Sequence, residues 1–344
     1  MKRLPRSPEK FEVLDLFTSL GLTHGFTLNG GKGSGEFVQI VERSLNASIR
    51  NPIVLHGRRV QTMFSYVVAS LGRAQMIKEE DAGGTLVTDP GSVKIPDFLV
   101  VLDDDSSFLV EAKNHYDPRK PLQLKSSYLA SLENYARLIG RPLRIAIYWS
   151  LLNLWTLVSP AHIPRQGDDL RIDLSTAMKR NEMADLGDMQ VATTPPLVLR
   201  VLTDSAKPRS VDSHGEVRFT IGGIELYCGG MRIESREERN LAYYFMLHSN
   251  WSGGEPRPCI EANHLIHLDF EVAHPEPVAG QEFQMLGFLS SMISRRFNDL
   301  TAPSGQIERL APSSDPGSLG IVIPHDYRGS RLRLWRFILQ PNYE

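Results

Sequence analysis

The sequence predicts an α/β fold, α+β overall, in which a β-hairpin leads into a strand–helix–strand crossover. Residues 95–102 and 107–114 are apolar, β-branched runs on either side of a short Asp- and Ser-rich turn, which is the pattern of a hairpin. Residues 125–139 carry apolar side chains at helical spacing, and the apolar run 143–149 is typical of a further strand. Because such a crossover joins parallel strands, the central sheet is predicted to be mixed.

The composition is that of a globular chain without a general attraction for nucleic acid. Of the 344 residues, 41% are hydrophobic and 23% are charged, and the formal net charge is −2. A nucleic-acid surface on this protein therefore has to be a local basic patch. The two cysteines are too few for a disulfide framework, and no apolar run is long enough to span a bilayer. We expect a cytoplasmic protein that does not associate with a membrane.

Three charged residues interrupt the apolar hairpin. Asp97 lies near the start of the first run, and Glu111 and Lys113 lie near the end of the second. A three-residue turn would place Asp97 opposite Glu111, whereas a five-residue turn would place it opposite Lys113. Either register brings two carboxylates and one ammonium group together at one end of the hairpin.

These charges need a physical reason, because both faces of the two strands are otherwise apolar. Buried charges are disfavoured unless they are paired or bind a metal ion. Two carboxylates and one lysine leave an excess negative charge, which a hard divalent cation such as Mg²⁺ would offset through oxygen ligands. The alternative is a structural ion pair at the end of a strand.

The segment before the hairpin predicts one helix and one strand. Residues 56–71 carry apolar side chains at helical spacing and end at Gly72, and residues 74–77 form a short apolar run. Arg58, Arg59 and Gln61 lie on the polar side of this predicted helix.

The order of elements, together with Pro96-Asp97 and Glu111-Ala112-Lys113, resembles the PD-(D/E)xK nuclease superfamily. That family has a restriction-endonuclease-like α-β-β-β-α-β core, with Asp on the second strand and Glu-x-Lys on the third. The resemblance covers roughly residues 55–160. It implies a Mg²⁺- or Mn²⁺-dependent phosphodiesterase.

The resemblance also implies a role for each matching residue. Asp97, Glu111 and the backbone carbonyl of Ala112 would bind the metal ion, and Lys113 would orient or help deprotonate a water molecule and stabilise charge on the phosphate. Many members carry a glutamate on the first helix, and this sequence does not. The nearest acidic replacements are Glu80 and its neighbours Glu79 and Asp81.

A local basic patch is predicted around the hairpin end. Basic clusters supply most of the sequence-independent attraction for a phosphate backbone. The predicted nucleic-acid-binding residues are Arg58, Arg59, Arg119, Lys120 and Lys125. The alternative is that the two arginines are ordinary surface residues and that the other three belong to a solvated entry into the helix.

Turn and loop signals divide the chain into three parts. Residues 1–54 are predicted to be a helical segment, and residues 55–190 the nuclease-like domain. The polar, proline-terminated stretch 185–196 marks a boundary. Residues 196–344 are predicted to be an accessory α+β domain, with strands at 197–202, 216–221, 224–228, 264–271, 320–324 and 331–339 and helices at 237–247 and 284–297.

The resemblance thus implies a metal-dependent nuclease, with DNA a better candidate substrate than RNA and with a role in prokaryotic defence or DNA repair. The alternative is a catalytically silent protein that keeps the fold as a nucleic-acid-binding or assembly module. The second domain is a candidate for sensing a ligand, for self-association or for binding a partner subunit.

Overall fold

The computed structural model describes residues 1–3, 8–29, 33–80 and 85–344. By its internal contacts, the chain divides into two compact units. Unit 1 comprises Met1–Glu182, Phe297–Leu319 and Pro341–Glu344, and unit 2 comprises Met183–Arg296 and Gly320–Gln340. No helix within the described ranges combines the length and the apolar character needed to cross a membrane.

Unit 1 contains a mixed five-stranded sheet, as the sequence predicts. The strands lie in the order β1-β2-β3-β5-β6, and β3 runs parallel to β5 while the other neighbours are antiparallel. The elements of this unit up to residue 182 are α1 (Pro8–His24), α2 (Ser34–Ile49), α3 (Pro52–Leu71), β1 (Ala74–Glu79), β2 (Phe98–Leu102), β3 (Ser107–His115), β4 (Leu122–Lys125), α4 (Ser126–Ile139), β5 (Leu143–Trp149), β6 (Leu154–Val158), β7 (Arg165–Gln166), β8 (Asp169–Ile172) and α5 (Leu174–Lys179).

Helix α3 is defined by signals at both of its ends and by one apolar face. The Asn51 side chain accepts hydrogen bonds from the first free N–H groups of the helix, and Pro52 occupies the first turn. Gly72 ends the helix in the left-handed conformation, with φ of 98°. The buried face includes Phe64, which packs against Phe98 of β2 and Trp155 of β6 with ring centroids 5.8 and 5.3 Å apart.

The β2–β3 hairpin has the shorter of the two predicted turns. Phe98 pairs with Val110 and Val101 with Ser107, and Leu102 N–H donates to the Ser106 carbonyl at 2.8 Å. The three residues between Leu102 and Ser106 end with Asp105 at φ 64°. This register continues to Asp97 opposite Glu111, so of the two alternatives the structure has the three-residue turn.

The crossover from β3 to β5 builds the core under the site. Helix α4 ends at Gly140, whose φ of 70° provides the left-handed termination expected of glycine. Leu129 and Leu132 of α4 pack in one buried cluster with Leu109 of β3 and Ile145 of β5. Between β3 and α4 the chain also forms β4, which the sequence did not predict and which pairs with β8 in a separate three-stranded sheet.

The division of the chain differs from the predicted contiguous domains. The stretch Phe297–Leu319 groups with unit 1, because its residues pack on α3. The rings of Tyr66 and Phe297 meet edge to face at 5.4 Å, and Arg59 Nε donates to Thr301 Oγ1 at 3.0 Å. A cut between residues 190 and 196 therefore does not describe the two compact units.

Unit 2 has an antiparallel six-stranded sheet in the order β12-β11-β10-β15-β13, with β14 paired to β15. A three-stranded sheet in the order β16-β9-β17 accompanies it. The elements of the remaining chain are β9 (Gln190–Thr193), β10 (Leu197–Thr203), β11 (Ile221–Cys228), β12 (Met231–Arg232), α6 (Arg236–His248), β13 (Ser252–Gly253), β14 (Arg257–Glu261), β15 (His264–Ala273), β16 (Gln284–Phe288), α7 (Leu289–Thr301) and β17 (Leu334–Phe337).

Three predictions for this half of the chain were wrong in detail. Residues 284–288 form strand β16 instead of the start of a helix, because they pair with β9 and Gly287 has a φ of 123°, which no α-helix contains. Residues 216–221 form no strand of their own, and β11 begins at Ile221. The predicted strand at 320–324 is absent from this described stretch, although β17 lies within the predicted strand 331–339.

Candidate active site

Asp97 is buried at the end of the hairpin, where its carboxylate is held from two sides. Asp97 directly precedes Phe98, the first residue of β2, and it is only 6% exposed. Asp97 Oδ2 accepts a hydrogen bond from the backbone N–H of Ala112 at 2.7 Å, and Oδ1 accepts one from Gln61 Nε2 at 2.7 Å. These bonds fix the orientation of the carboxylate relative to β3 and to α3.

Glu111, Lys113 and Tyr128 form a closed hydrogen-bonded triangle. Lys113 Nζ donates to Glu111 Oε1 at 2.5 Å and to the Tyr128 hydroxyl oxygen at 2.9 Å, and the Tyr128 hydroxyl donates to the same Glu111 oxygen. The Glu111 side chain is 5% exposed, whereas that of Lys113 is 26% exposed. The Lys113 side chain is therefore partly exposed to solvent, whereas that of Glu111 is buried.

The protonation states of this triangle follow from its geometry. Burial alone would lower the pKa of Lys113, but the charge of Glu111 and the bonds to Glu111 and Tyr128 outweigh burial and raise it. Burial, and then the hydrogen bond to Glu111, raise the pKa of Tyr128 to about 12. At neutral pH Lys113 is thus a cation and Tyr128 a neutral donor. In this arrangement Lys113 can stabilise negative charge.

Glu80, the further candidate ligand, is engaged with two other side chains. Its backbone N–H donates to the Asp97 carbonyl at 2.9 Å, so the two residues are neighbours across β1 and β2. Its carboxylate accepts from Lys78 Nζ at 2.7 Å and from the Tyr135 hydroxyl at 2.8 Å. Burial acts to raise the pKa of Glu80, but these two bonds and the charge of Lys78 lower it overall. Asp81 lies outside the described residues.

The donor set suits a hard divalent cation. Asp97 and Glu111 supply carboxylate oxygens and Ala112 a backbone carbonyl. Mg²⁺ is commonly bound through one or two carboxylates while it keeps several waters. The described part of the chain contains no group of three or more His, Cys, Asp or Glu side chains arranged to hold a metal ion. A third acidic ligand is therefore not evident among these residues.

The predicted basic residues have different surroundings. Arg119 and Lys120 are strongly exposed, with Nε and Nζ respectively 2.9 and 3.7 Å from the carboxylate of Asp117. Hydrogen bonds from the side chain and backbone of Arg119, together with the charges of Arg119 and Lys120, lower the pKa of Asp117 to about 2. Arg58 and Lys125 are also exposed, and Arg58 Nη1 donates to Gln61 Oε1 at 3.2 Å.

Arg59 does not lie on an exposed rim, which corrects the expectation for this residue. It is only 8% exposed, and its guanidinium donates to Thr301 Oγ1 and, at 2.6 Å, to Asn298 Oδ1. The guanidinium also lies 5.5 Å from the centroid of the Phe297 ring. Burial lowers the pKa of Arg59 from its usual value. This arginine joins Phe297–Leu319 to α3.

A cleft of about 830 Å³ opens beside the site. Ala112 and Lys113 line it from β3, and Gln61 lines it from α3. None of its described lining residues is acidic. The other lining residues are Pro52, Ile53, His56, Gly57, Arg59, Val60, Asn114, Tyr116, Tyr148, Ser150, Asn298, Ala302 and Gly305.

Two residues of the site were not identified from the sequence. Gln61 follows Arg58 by one helical turn, so its place on the polar side of α3 was visible but its contact with Asp97 was not. Tyr128 belongs to the apolar stripe of α4, where a tyrosine is normally a packing residue. No local pattern distinguishes it, because its role depends on Glu111, 17 residues earlier in the chain.

Comparison with known proteins gives little beyond this geometry. No family model matches the sequence, and no curated protein matches it. The chain is similar to Hjc, a Holliday junction resolvase from the archaeal hyperthermophile Archaeoglobus fulgidus, solved at 1.6 Å resolution. The similarity has 20% identity and a TM-score of 0.27, and it covers 32% of this chain and 84% of that one. A likeness of this size assigns neither a fold nor an activity.

Proposed function

We propose that this protein is a divalent-metal-dependent nuclease that hydrolyses phosphodiester bonds at Asp97, Glu111 and Lys113. The observation that carries the proposal is the placement of two buried carboxylates opposite each other, beside an ammonium group that lines a cleft. A structural ion pair with one lysine needs only one carboxylate. Burial of a second carboxylate therefore costs free energy that such an ion pair alone does not explain.

The metal ion would be Mg²⁺ or Mn²⁺, held by Asp97, Glu111 and the carbonyl of Ala112. When bound there, it supplies Lewis acidity and neutralises charge at the phosphate. Gln61 and the Ala112 N–H hold the Asp97 carboxylate in one orientation. Lys113, as a cation, stabilises the negative charge that develops on the phosphate and orients the attacking water. DNA is the proposed substrate class, and prokaryotic defence or DNA repair the proposed setting, on the family resemblance alone.

The proposal is tested by incubating the full chain with single-stranded, duplex and branched DNA and with RNA, in Mg²⁺, in Mn²⁺ and in chelator. Asp97→Asn and Glu111→Gln keep the side-chain shapes and should abolish metal-dependent cleavage. Asp103→Asn is the matched control, because Asp103 lies in the turn of the same hairpin and pairs with exposed Arg73. Cleavage by either site variant at the wild-type rate would refute the assignment.

A second function has one observation in its favour. The Glu111 oxygen Oε1 is occupied by Lys113 and Tyr128, and the α3 residue that contacts Asp97 is a neutral glutamine. This arrangement also suits a catalytically silent module that binds nucleic acid. Calorimetry with Mn²⁺ distinguishes the two: a silent module shows no binding that depends on Asp97, whereas the nuclease does.

A further inference from the structure

The two carboxylates of the site are recessed behind the cleft surface. Asp97 and Glu111 are 6% and 4% exposed and do not line the cleft. The residues that contact them, Gln61 and Lys113, do line it. A phosphate therefore has to enter the cleft to reach the carboxylates.

The size of the cleft limits what can enter. Its volume of about 830 Å³ is within the range of about 300–1,000 Å³ that is typical of sites for small ligands. Individual nucleotides fit a space of this size, whereas a segment of duplex does not. A duplex could bring only its outer backbone to the opening.

The lining chemistry suits a nucleotide whose base is unpaired. Lys113 supplies positive charge for a phosphate. Tyr116 and Ile53 also line the cleft and are 69% and 84% exposed, and a charged phosphate group does not offer an apolar surface for an aromatic ring or an aliphatic side chain to contact. The faces of bases do, and these faces are accessible only in unpaired strands.

We infer that the cleft is a binding site for unpaired nucleotides of a single-stranded nucleic acid, with a base stacked on Tyr116 and the adjoining phosphate at Lys113. The inference rests on the proposed function, because it takes the scissile phosphate to be the one that reaches Lys113. Tyr116 lies three residues beyond Lys113, just past the end of β3, so the ring and the ammonium are carried by one continuous segment. One continuous segment, β3 and the residue after it, thus carries both the side chain that selects unpaired substrate and the side chain that takes part in the chemistry.

The test measures binding without cleavage. The full-length protein is titrated, in chelator, against labelled oligodeoxythymidylate and against a blunt duplex of equal length, with fluorescence anisotropy as the readout. The wild type should bind the single strand about ten-fold more tightly or better. Tyr116→Ala should weaken single-strand binding at least about five-fold, the lower end for loss of one stacked base, with little change for duplex.

Two control variants identify the ring as the cause. Tyr116→Phe keeps the aromatic face and should bind as the wild type does. Tyr243→Ala removes a tyrosine that is 51% exposed on α6 of unit 2 and should leave both affinities unchanged. Both tyrosines are exposed, so neither alanine variant removes a core residue.

The possible outcomes separate this inference from the proposed function. If Tyr116→Ala binds the single strand like the wild type, or if the duplex is bound as tightly as the single strand, the inference is wrong even where Asp97-dependent cleavage is found. If single strands are bound through Tyr116 but no substrate is cut with Mg²⁺ or Mn²⁺, the inference stands and the nuclease proposal fails. Absence of binding to any oligonucleotide overturns the inference.

Discussion

Lys113 Nζ lies 2.9 Å from the Tyr128 hydroxyl oxygen, and both groups donate to the same oxygen of Glu111. Tyr128 therefore holds the catalytic candidates Glu111 and Lys113 in one geometry from a different element, α4. The Lys113 ammonium also lies 4.7 Å from the centroid of the Tyr128 ring. A cation over an aromatic ring is stabilised further, so the tyrosine favours the charged form of the lysine in two ways.

The Tyr128→Phe variant should keep the fold but lose much of the cleavage activity. Loss of the hydroxyl removes a donor to a buried carboxylate, which costs about 1 kcal/mol of the free energy of unfolding. Urea denaturation measures that loss, and single-turnover cleavage measures the effect on Lys113. Tyr135→Phe is the matched control, because it removes a hydroxyl that donates to Glu80 from the same helix. An equal loss of cleavage in both variants would instead indicate that Glu80 also belongs to the active site.

Lys113 should act on the phosphate and not in metal capture, because a cation repels the metal ion. Lys113→Ala should lower the cleavage rate about 100-fold or more, as removal of a charge-stabilising donor does. Its affinity for Mn²⁺, measured by calorimetry, should be kept. Lost metal binding in Lys113→Ala would indicate a structural ion pair.

The salt dependence of nucleic-acid binding should identify the basic surface. With Arg59 buried, the exposed candidates are Arg58, Arg119, Lys120 and Lys125. Each phosphate contact removed should reduce the slope of log K against log salt by about 0.7 on single strands and about 0.9 on duplex. Titration of the quadruple alanine variant at several salt concentrations tests this. A slope equal to that of the wild type would exclude these residues as phosphate contacts.

Arg59→Ala tests a structural role, whereas the quadruple variant tests phosphate contacts. Arg59→Ala should lower the free energy of unfolding by about 3 kcal/mol, because several hydrogen bonds of a buried charged group are lost and their partners are left unsatisfied. Urea denaturation is the measurement. A variant as stable as the wild type would show that Arg59 does not join Phe297–Leu319 to α3.

Asp188 in unit 2 should make stability depend on pH. Burial raises its pKa from 3.8 to about 6, even though Ser290 and Met189 donate hydrogen bonds to its carboxylate. Because the folded state binds this proton more tightly than the unfolded state, the stabilisation is complete below about pH 4 and is lost as the pH rises through 6. Asp188→Asn stays neutral throughout. From pH 4 to pH 7 its free energy of unfolding should therefore rise relative to the wild type by about 2 to 3 kcal/mol.

That comparison is made between the two proteins at each pH, because other titrating groups then cancel. A difference that does not change between pH 4 and pH 7 would show that Asp188 titrates near its ordinary value. It would also show that the three hydrogen bonds that Asp188 accepts from Ser290 and Met189 outweigh its burial.

The sequence by itself determined the local elements of unit 1 that carry the site. The Asp- and Ser-rich turn predicts the hairpin but allows two registers, and the structure has the one that places Asp97 opposite Glu111. Helical spacing followed by glycine predicts α3 and α4. These features depend on neighbours within a few residues, so hydrophobic period and turn chemistry are enough to define them.

Only the tertiary structure decided which side chains complete the site. Gln61 contacts Asp97 from 36 residues away, and Arg59 is buried by Thr301, 242 residues further along the chain. Local periodicity describes which face of an element is apolar, but not what that face meets. The strand at 284–288 also depends on a distant partner. Its residues form β16 because they pair with β9, and local sequence does not show that pairing.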